Sequence, residues 1–367
     1  MHDLPRYGRR HLIGVLAALP VLTRAGTACA APARAAVPSQ PISTAPFSDG
    51  ARLLVAGPSH GALNGWADAV LPALEQSLPP DTVVRRAVVG GADGVTGANQ
   101  FEARGVPDGL TVLMAPGQAV LAWMVGDPRA QYDVGHWLPV MAGATPGLVV
   151  ARQGMPGPDG RLRIATAGGV AGPDLPALLG CDLLGVTAEP VIVSPAEPAA
   201  VRNAFAQGTA DAACLRGHGV AEQFATLAAA GAQPLFSLGA FDDAGRTVRD
   251  PAWPDVPTFA ELYAMRAGLR PAAALYGAWA AAAAAVQLEF ALVLPQLTAA
   301  SMVSLWRRAG TDASAAGSVQ TFGAALGVRP LAGPAATAIT TAAAADAAAL
   351  SDLRRWLADR FNWHPPQ

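Results

Sequence analysis

Between a strand-like run at Arg52–Ala56 and a helical run from Asn64, the chain reads Gly57-Pro58-Ser59-His60-Gly61, matching the G-x-S-x-G nucleophile elbow. In that chemistry a serine hydroxyl attacks an acyl carbon, a histidine takes its proton and paired N–H groups hold the oxyanion. The setting argues against it. Only about twenty residues of mature chain precede Ser59, leaving no upstream strands and no loop for a second oxyanion donor. His136 and His218 do not sit in an acid-then-histidine arrangement. The same residues serve better as a backbone cradle, with Ser59 and His60 donating hydrogen bonds at a helix start. A secreted serine hydrolase using Ser59 stands as the alternative reading.

The second glycine-rich feature runs from Gly90 to Met114. Gly90, Gly91, Gly94 and Gly97 allow positive φ and close approach of backbone N–H groups to a ligand. The spacing predicts a short helix to about Arg104, a Pro107-Asp108-Gly109 corner and a strand over Leu110–Met114. This segment reads as a wall on the first lobe's side of a cleft. Of the six histidines, two lie in the first eleven residues, and none shows an H-x-x-x-H or C-x-x-C context, so no metal site is expected. The spacing Gly91, Gly94, Gly97 is not the dinucleotide fingerprint, and no G-x-x-x-x-G-K is present, so no cofactor is expected. Asp211 reads as a turn carboxylate or as a ligand or hinge residue. The tryptophans read as core or lobe-interface anchors, with Trp66 as the candidate for stacking on a ligand.

These features need elements to position them. Arg52–Ala56, Thr82–Val89 and Leu110–Met114 read as strands, with a helix from about Asn64 to Leu78 between the first two. Leu138–Ala151 reads as a strand crossing into a second unit. That unit repeats the scheme with a strand at Leu162–Ala165, a turn at Gly168-Gly169 and a helix from Asp174. A strand at Pro190–Val193, a helix over Glu197–Phe205, a strand at Ala210–Leu215 and an alanine-rich helix follow. Pro234–Leu238 reads as the strand that returns to the first unit, and the tail from Thr298 to Trp363 is mainly helical. Strands alternating with helices predict an α/β architecture with largely parallel sheets, in two lobes that share a cleft.

The chain has 367 residues, 52% of them hydrophobic, enough for two cores; much of that share is alanine, which favours helix more than burial. Charged residues make up 14% and the formal net charge is −2, which excludes a nucleic-acid footprint. Arg6, Arg9 and Arg10, the apolar run Leu12–Leu22 and small residues through Ala36 have the layout of a cleaved export signal, with the twin-arginine route open beside the general one. Lipidation at Cys29 is not expected. Cys181 and Cys214 remain after cleavage and read as separately buried thiols, with a disulfide as the alternative. Ala272–Leu294 approaches membrane-spanning length, but Gln287 and Glu289 interrupt it.

Several segments, taken in order, resemble the periplasmic substrate-binding proteins of tripartite tricarboxylate transporters, the Bug family. Gly90–Met114 is similar to the family's glycine-rich segment ending in a P-D-G-Y-T-L-L type strand, with Leu110 in place of the aromatic. Tyr132-Asp133, Trp137 and Pro139-Val140 resemble its Y-D-P and F-x-P-V stretch; Thr166-Ala167-Gly168 resembles its S-A-G loop; Trp253 to Glu261 resembles its P-D-V-P-T-x-x-E signature. The resemblance implies a hinged, type II-like two-lobed binding protein with no enzymatic activity. It would act as a periplasmic monomer that hands a small carboxylate or amino-acid-like ligand to membrane transporter subunits or to a sensor. A signalling module without transport is the further alternative. The implied boundaries are a signal at 1–36, a linker at 37–48, the first lobe at 49–148, the second at 149–236, and the first lobe again, with C-terminal helices, at 237–367.

The resemblance places the ligand between Pro58–Asn64 and Thr166–Asp174, held by backbone donors and waters without a dedicated arginine. The implied site residues are Ser59, His60, Gly61, Ala62, Asn64, Thr166, Ala167, Gly168, Gly169, Ala171, Asp174, Ser194 and Asp211. Three departures stand out. The first loop lacks the family's P-G-G run and carries Asn64 where an acidic residue is common. The second loop introduces Asp174, whose carboxylate would oppose a dianion, and Ser194-Pro195-Ala196-Glu197 replaces a P-Y-K-G type turn.

Overall fold

Leu53, Leu54 and Val55 are buried on both faces of one strand, and strands of that kind require a helical layer on each side of their sheet. The computed structural model describes Phe47 and residues 50–157, 160–197, 199–266 and 273–365. The export signal therefore lies outside the described residues. Of the expected linker, Phe47 is described, and it is buried edge-on against Trp306 as part of the first lobe's core.

The first lobe opens with β1 (Ala51–Ala56), α1 (Ala62–Ser77), β2 (Val84–Val89), α2 (Val95–Arg104), β3 (Thr111–Ala115), α3 (Gly117–Val125) and β4 (Leu138–Ala144). The chain then crosses into β5 (Gly147–Ala151), β6 (Arg161–Ala167), α4 (Leu175–Leu183), β7 (Thr187–Val193), α5 (Ala200–Ala206), β8 (Ala212–Arg216), α6 (Val220–Ala229) and β9 (Gln233–Ser237). A small ribbon, β10 (Ala240–Phe241) and β11 (Thr247–Val248), and α7 (Phe259–Met265) lead to α8 (Ala273–Gln287) and β12 (Leu288–Leu294). The chain ends with α9 (Ala300–Ala315), α10 (Gly317–Leu326), β13 (Arg329–Ala332), α11 (Gly333–Ala343) and α12 (Ala347–Phe361).

Two sheets result, in the orders β13-β4-β12-β3-β1-β2 and β7-β6-β8-β5-β9. Both are mixed, where the sequence predicts largely parallel pairing. The βαβ units do pair in parallel: β1 with β2 and β3, and β6 with β7 and β8. Strands that enter a lobe from the crossing begin at the cleft edge and must run away from it. Accordingly β5 is antiparallel to β8, and β12 is antiparallel to β3 and β4. The reading of Pro234–Leu238 as a return to the first lobe is corrected as well. That run is β9, the edge strand of the second sheet, paired with β5. Phe236 is buried there against Phe259.

The lobes are joined by polar bonds at the crossing and by two helices. Gln287, at the end of α8, accepts from the Thr145 amide at 2.8 Å through its carbonyl, and its side chain donates to Gly239 O at 2.6 Å. One residue thus ties together all three chain crossings. The stretch Ala272–Leu294 does not form one long helix; it divides at Gln287 into α8 and β12, and among the described residues no helix is long and apolar enough to cross a membrane. Small side chains let α8 lie closely against α3, α4, α11 and α12. From α12, Arg354 donates to the Trp123 and Met124 carbonyls of α3, while Trp356 and Arg360 donate to Asp182 of α4. The C-terminal helix is a strap across both lobes.

Candidate functional site

β1 and β3 release the chain at their carboxyl ends into Gly57–Gly61 and Pro116, and each loop opens directly onto a helix. In the first, Gly61 N–H bonds to Pro58 O, and the buried Asn64 side chain donates to the same carbonyl at 2.7 Å. In the second, Gly117 permits an approach that no other residue would: a Cβ there would stand 1.9 Å from Ala285 O. The N-caps of α1 and α3, Gly61 and Pro116, supply no side-chain cap; the Asn64 and Ala119 amides bond to the Gly61 and Pro116 carbonyls, and the first two amides of each helix, Ala62 and Leu63, Gly117 and Gln118, remain available. The Val95 amide in α2 is by contrast taken by Asp93 Oδ1 at 3.2 Å. Gly94, at φ +76°, sits where a Cβ would lie 2.5 Å from the Pro116 ring, so this glycine brings the loop between β2 and α2 against the loop between β3 and α3.

These loops face a cavity of about 670 Å³ between the lobes, a size suited to one small metabolite. The first lobe contributes Ala56–Pro58, Gly61–Leu63, Ala92 and Pro116–Gln118. The second contributes Pro173, Arg202, Cys214–His218 and Gln223; the crossing contributes Thr145, Ala285, Val286, Leu288 and Glu289. The Gly90–Met114 segment thus reaches the cavity through Ala92, in keeping with its reading as a wall.

One wall of the cavity carries a charged group outside the expected site residues. Arg216, at the carboxyl end of β8, donates through Nη1 to Asp174 Oδ1 at 2.5 Å and to Cys214 O at 3.3 Å. The second oxygen of Asp174 accepts from the Ala167 amide at 2.7 Å. The Asp174 side chain is fully buried and Arg216 is 21% exposed, so the guanidinium faces the cavity and the carboxylate stands behind it. Burial pushes the Asp174 carboxyl up from its ordinary value, opposed by the Arg216 charge and the Ala167 amide. At the crossing, His218 Nε2 lies 3.1 Å from Glu289 Oε1, and both residues line the cavity.

Several expected site residues have other employment. Asp174 does not present its carboxylate to the cleft; it is the counter-ion of Arg216. Thr166 is fully buried, and its hydroxyl donates to Ile164 O at 2.9 Å. The two loops hold no arginine, but Arg202 and Arg216 line the cavity from elsewhere in the second lobe. Asp211 lies at the other end of β8 from Arg216, in a two-pronged pair with Arg163 at 2.7 and 2.8 Å. Trp66 is no stacking plate: it is buried between Phe290 and Phe322. Gly61 and Ala62 line the cavity, while Ser59 and His60 are exposed beside it and are not among its lining residues. Ala167, Gly168, Gly169, Ala171 and Ser194 are likewise outside the lining, although Gly168 and Gly169 take the positive φ their loop requires. Cys181 and Cys214 are separate buried thiols, each with its pKa pushed up to about 12, first by desolvation. For the hydrolase alternative, the histidine contacts are unhelpful: His136 faces Glu102 and Asp133, and His218 faces Glu289. Among the described residues no histidine is hydrogen-bonded to Ser59.

A signal for Arg216 was present in retrospect. An arginine that ends a strand and precedes glycine occupies the position where open α/β sheets place ligands.

No family model matches the sequence, and no curated protein matches it. Solved structures do. A TctC solute-binding protein from Polaromonas, solved without ligand, superposes with a TM-score of 0.57 at 16% identity, over 85% of this chain and 97% of that one. The periplasmic binding protein BugD gives 0.47 at 16% identity, over 85% and 97%. MatC from Rhodopseudomonas palustris with bound malate gives 0.45 at 21% identity, over 83% and 98%. The first superposition assigns the fold, a two-lobed α/β periplasmic-binding-protein architecture of type II; at such identity it does not carry a ligand.

Proposed function

We propose that the chain is an exported, non-enzymatic solute-binding protein of the tripartite tricarboxylate transporter kind, which captures a small carboxylate between its lobes for a membrane transporter or sensor. The observation that carries this reading is the convergence on one interlobe cavity of two uncapped helix N-termini, those of α1 and α3, with the arginines of the second lobe. Backbone N–H groups and the helix dipole attract an anion from one side, and a guanidinium can take a carboxylate in a forked pair from the other. Nothing in this arrangement needs a nucleophile, a metal or a cofactor. The resemblance of the sequence to the Bug family supports the same assignment, and the layout of the first thirty-six residues supports export.

A thermal-shift screen over mono-, di- and tricarboxylates, amino acids and neutral analogues tests the reading, because a ligand specific for the native state raises the melting temperature. A rise of several degrees with a carboxylate, abolished in Arg216→Gln, is the expected result. No shift with any carboxylate would remove the reading.

A further inference from the structure

The cavity has two poles of opposite sign, and they restrict its ligand. On the second-lobe wall, Asp174 and Cys214 O engage only Nη1 of Arg216, leaving the Nε and Nη2 donors as an edge for a carboxylate. At the crossing stands Glu289, 16% exposed, with Oε1 3.1 Å from His218 Nε2. Arg202, Arg216 and Glu289 all line the cavity, and Asp174 lies immediately behind Arg216, so the two cations are matched by two carboxylates within the protein. A dicarboxylate spanning this space would lay its second charge against Glu289 in a partly desolvated cleft, where like charges repel strongly. A carboxylate that also carries an amino group meets no such opposition.

We infer that the ligand is a zwitterionic amino carboxylate, its carboxylate held by Arg216 and the N-termini of α1 and α3, and its ammonium held by Glu289. This rests on the carboxylate-binding reading of the same cleft and narrows it. His218 stands beside Glu289, with Nε2 3.1 Å from Oε1, and positions it for that contact.

The test is calorimetric titration of the mature protein with three sets of probes. These are 2-aminopentanoate and 5-aminopentanoate, pentanoate, and glutarate, which share a five-carbon chain and differ in the presence of the amine or a second carboxylate. At least one amino acid is expected to bind tenfold or more tightly than pentanoate and glutarate, the size of effect that one charge-assisted hydrogen bond supplies. In Glu289→Gln the preference over pentanoate should fall to within about threefold, while Arg216→Gln weakens every probe. Glutarate or pentanoate binding as tightly as both amino acids overturns the inference, as does Glu289→Gln with its preference intact. Binding of carboxylates without preference for the amine sinks this inference alone, whereas no binding by any carboxylate, in this set or in the thermal-shift screen, sinks the solute-binding reading beneath it. The ranking in the unsubstituted protein decides the matter even if a variant fails to fold.

Discussion

Replacing Arg216 by methionine leaves the Asp174 carboxyl in place, fully buried, with the Ala167 amide as its remaining partner. Removing one member of a buried ion pair costs about 3–5 kcal/mol, because the surviving charge is left without compensation. Here protonation sets a ceiling. The carboxyl can escape by taking up a proton, at about 1.36 kcal/mol for each pH unit above its ordinary value of 3.8. That limit is about 5 kcal/mol at pH 7.5 and about 1.6 kcal/mol at pH 5. Since Arg216 is one-fifth exposed, water entering from the cleft reduces the cost, and a loss of about 3 kcal/mol is expected at pH 7.5. The sign follows from linkage. In the variant the folded-state pKa is raised above the unfolded one, so the penalty is full at high pH and is relieved as pH falls towards the unfolded value. Urea unfolding of both proteins at pH 7.5 and pH 5 measures it, with the difference in stability at least halving at the lower pH. A difference that stays constant between the two pH values, or lies within about 0.5 kcal/mol at both, would refute the assignment of Asp174 as a buried carboxylate held by Arg216.

Gly117→Ala should lower stability by about 3 kcal/mol, since its Cβ would meet the Ala285 carbonyl and neither backbone can yield cheaply; an unchanged melting curve would contradict the close approach of α3 to α8. Asp182→Ala removes the acceptor for Trp356 and Arg360 and should cost about 2 kcal/mol, with faster amide exchange in α12. If α12 exchange is unaffected, the strap is not held there. The Arg163 hydrogen bonds lower the Asp211 pKa, so the stability this pair contributes is present above the unfolded value and is lost as pH falls through the folded one. Asp211→Asn should therefore flatten the acid limb of the stability profile, and an acid limb of unchanged steepness would exclude the pair as a contributor.

The course of the chain was legible because it depends on local patterns. The glycine-led turns after Ala56 and Val89, the helix start near Asp174 and the apolar runs of β1 and β3 each follow from residues within a few positions of one another. The change of lobe within Leu138–Ala151 was also visible, although the run is two strands, β4 and β5, where its pattern predicts one. Sheet polarity was not. Antiparallel β5 and β12 arise from the edge at which the chain re-enters a sheet, which no local period records. The candidate site divides in the same way. Gly61 and Ala62 were found through their loop, whereas Asn64 and Thr166, chosen for their polar groups, spend those groups inside their own turns.

By itself the sequence determined which segments are strand or helix and where glycine lets the chain turn, because backbone preference and hydrophobic period act over a few residues. Only the tertiary structure decided which charges face the cleft. Arg216 stands forty-two residues from Asp174 in the chain, and Glu289 seventy-one from His218. Whether each is a solvated surface charge, a buried partner or a ligand contact depends on which strand ends the two sheets bring together, and spacing along the chain holds no record of that.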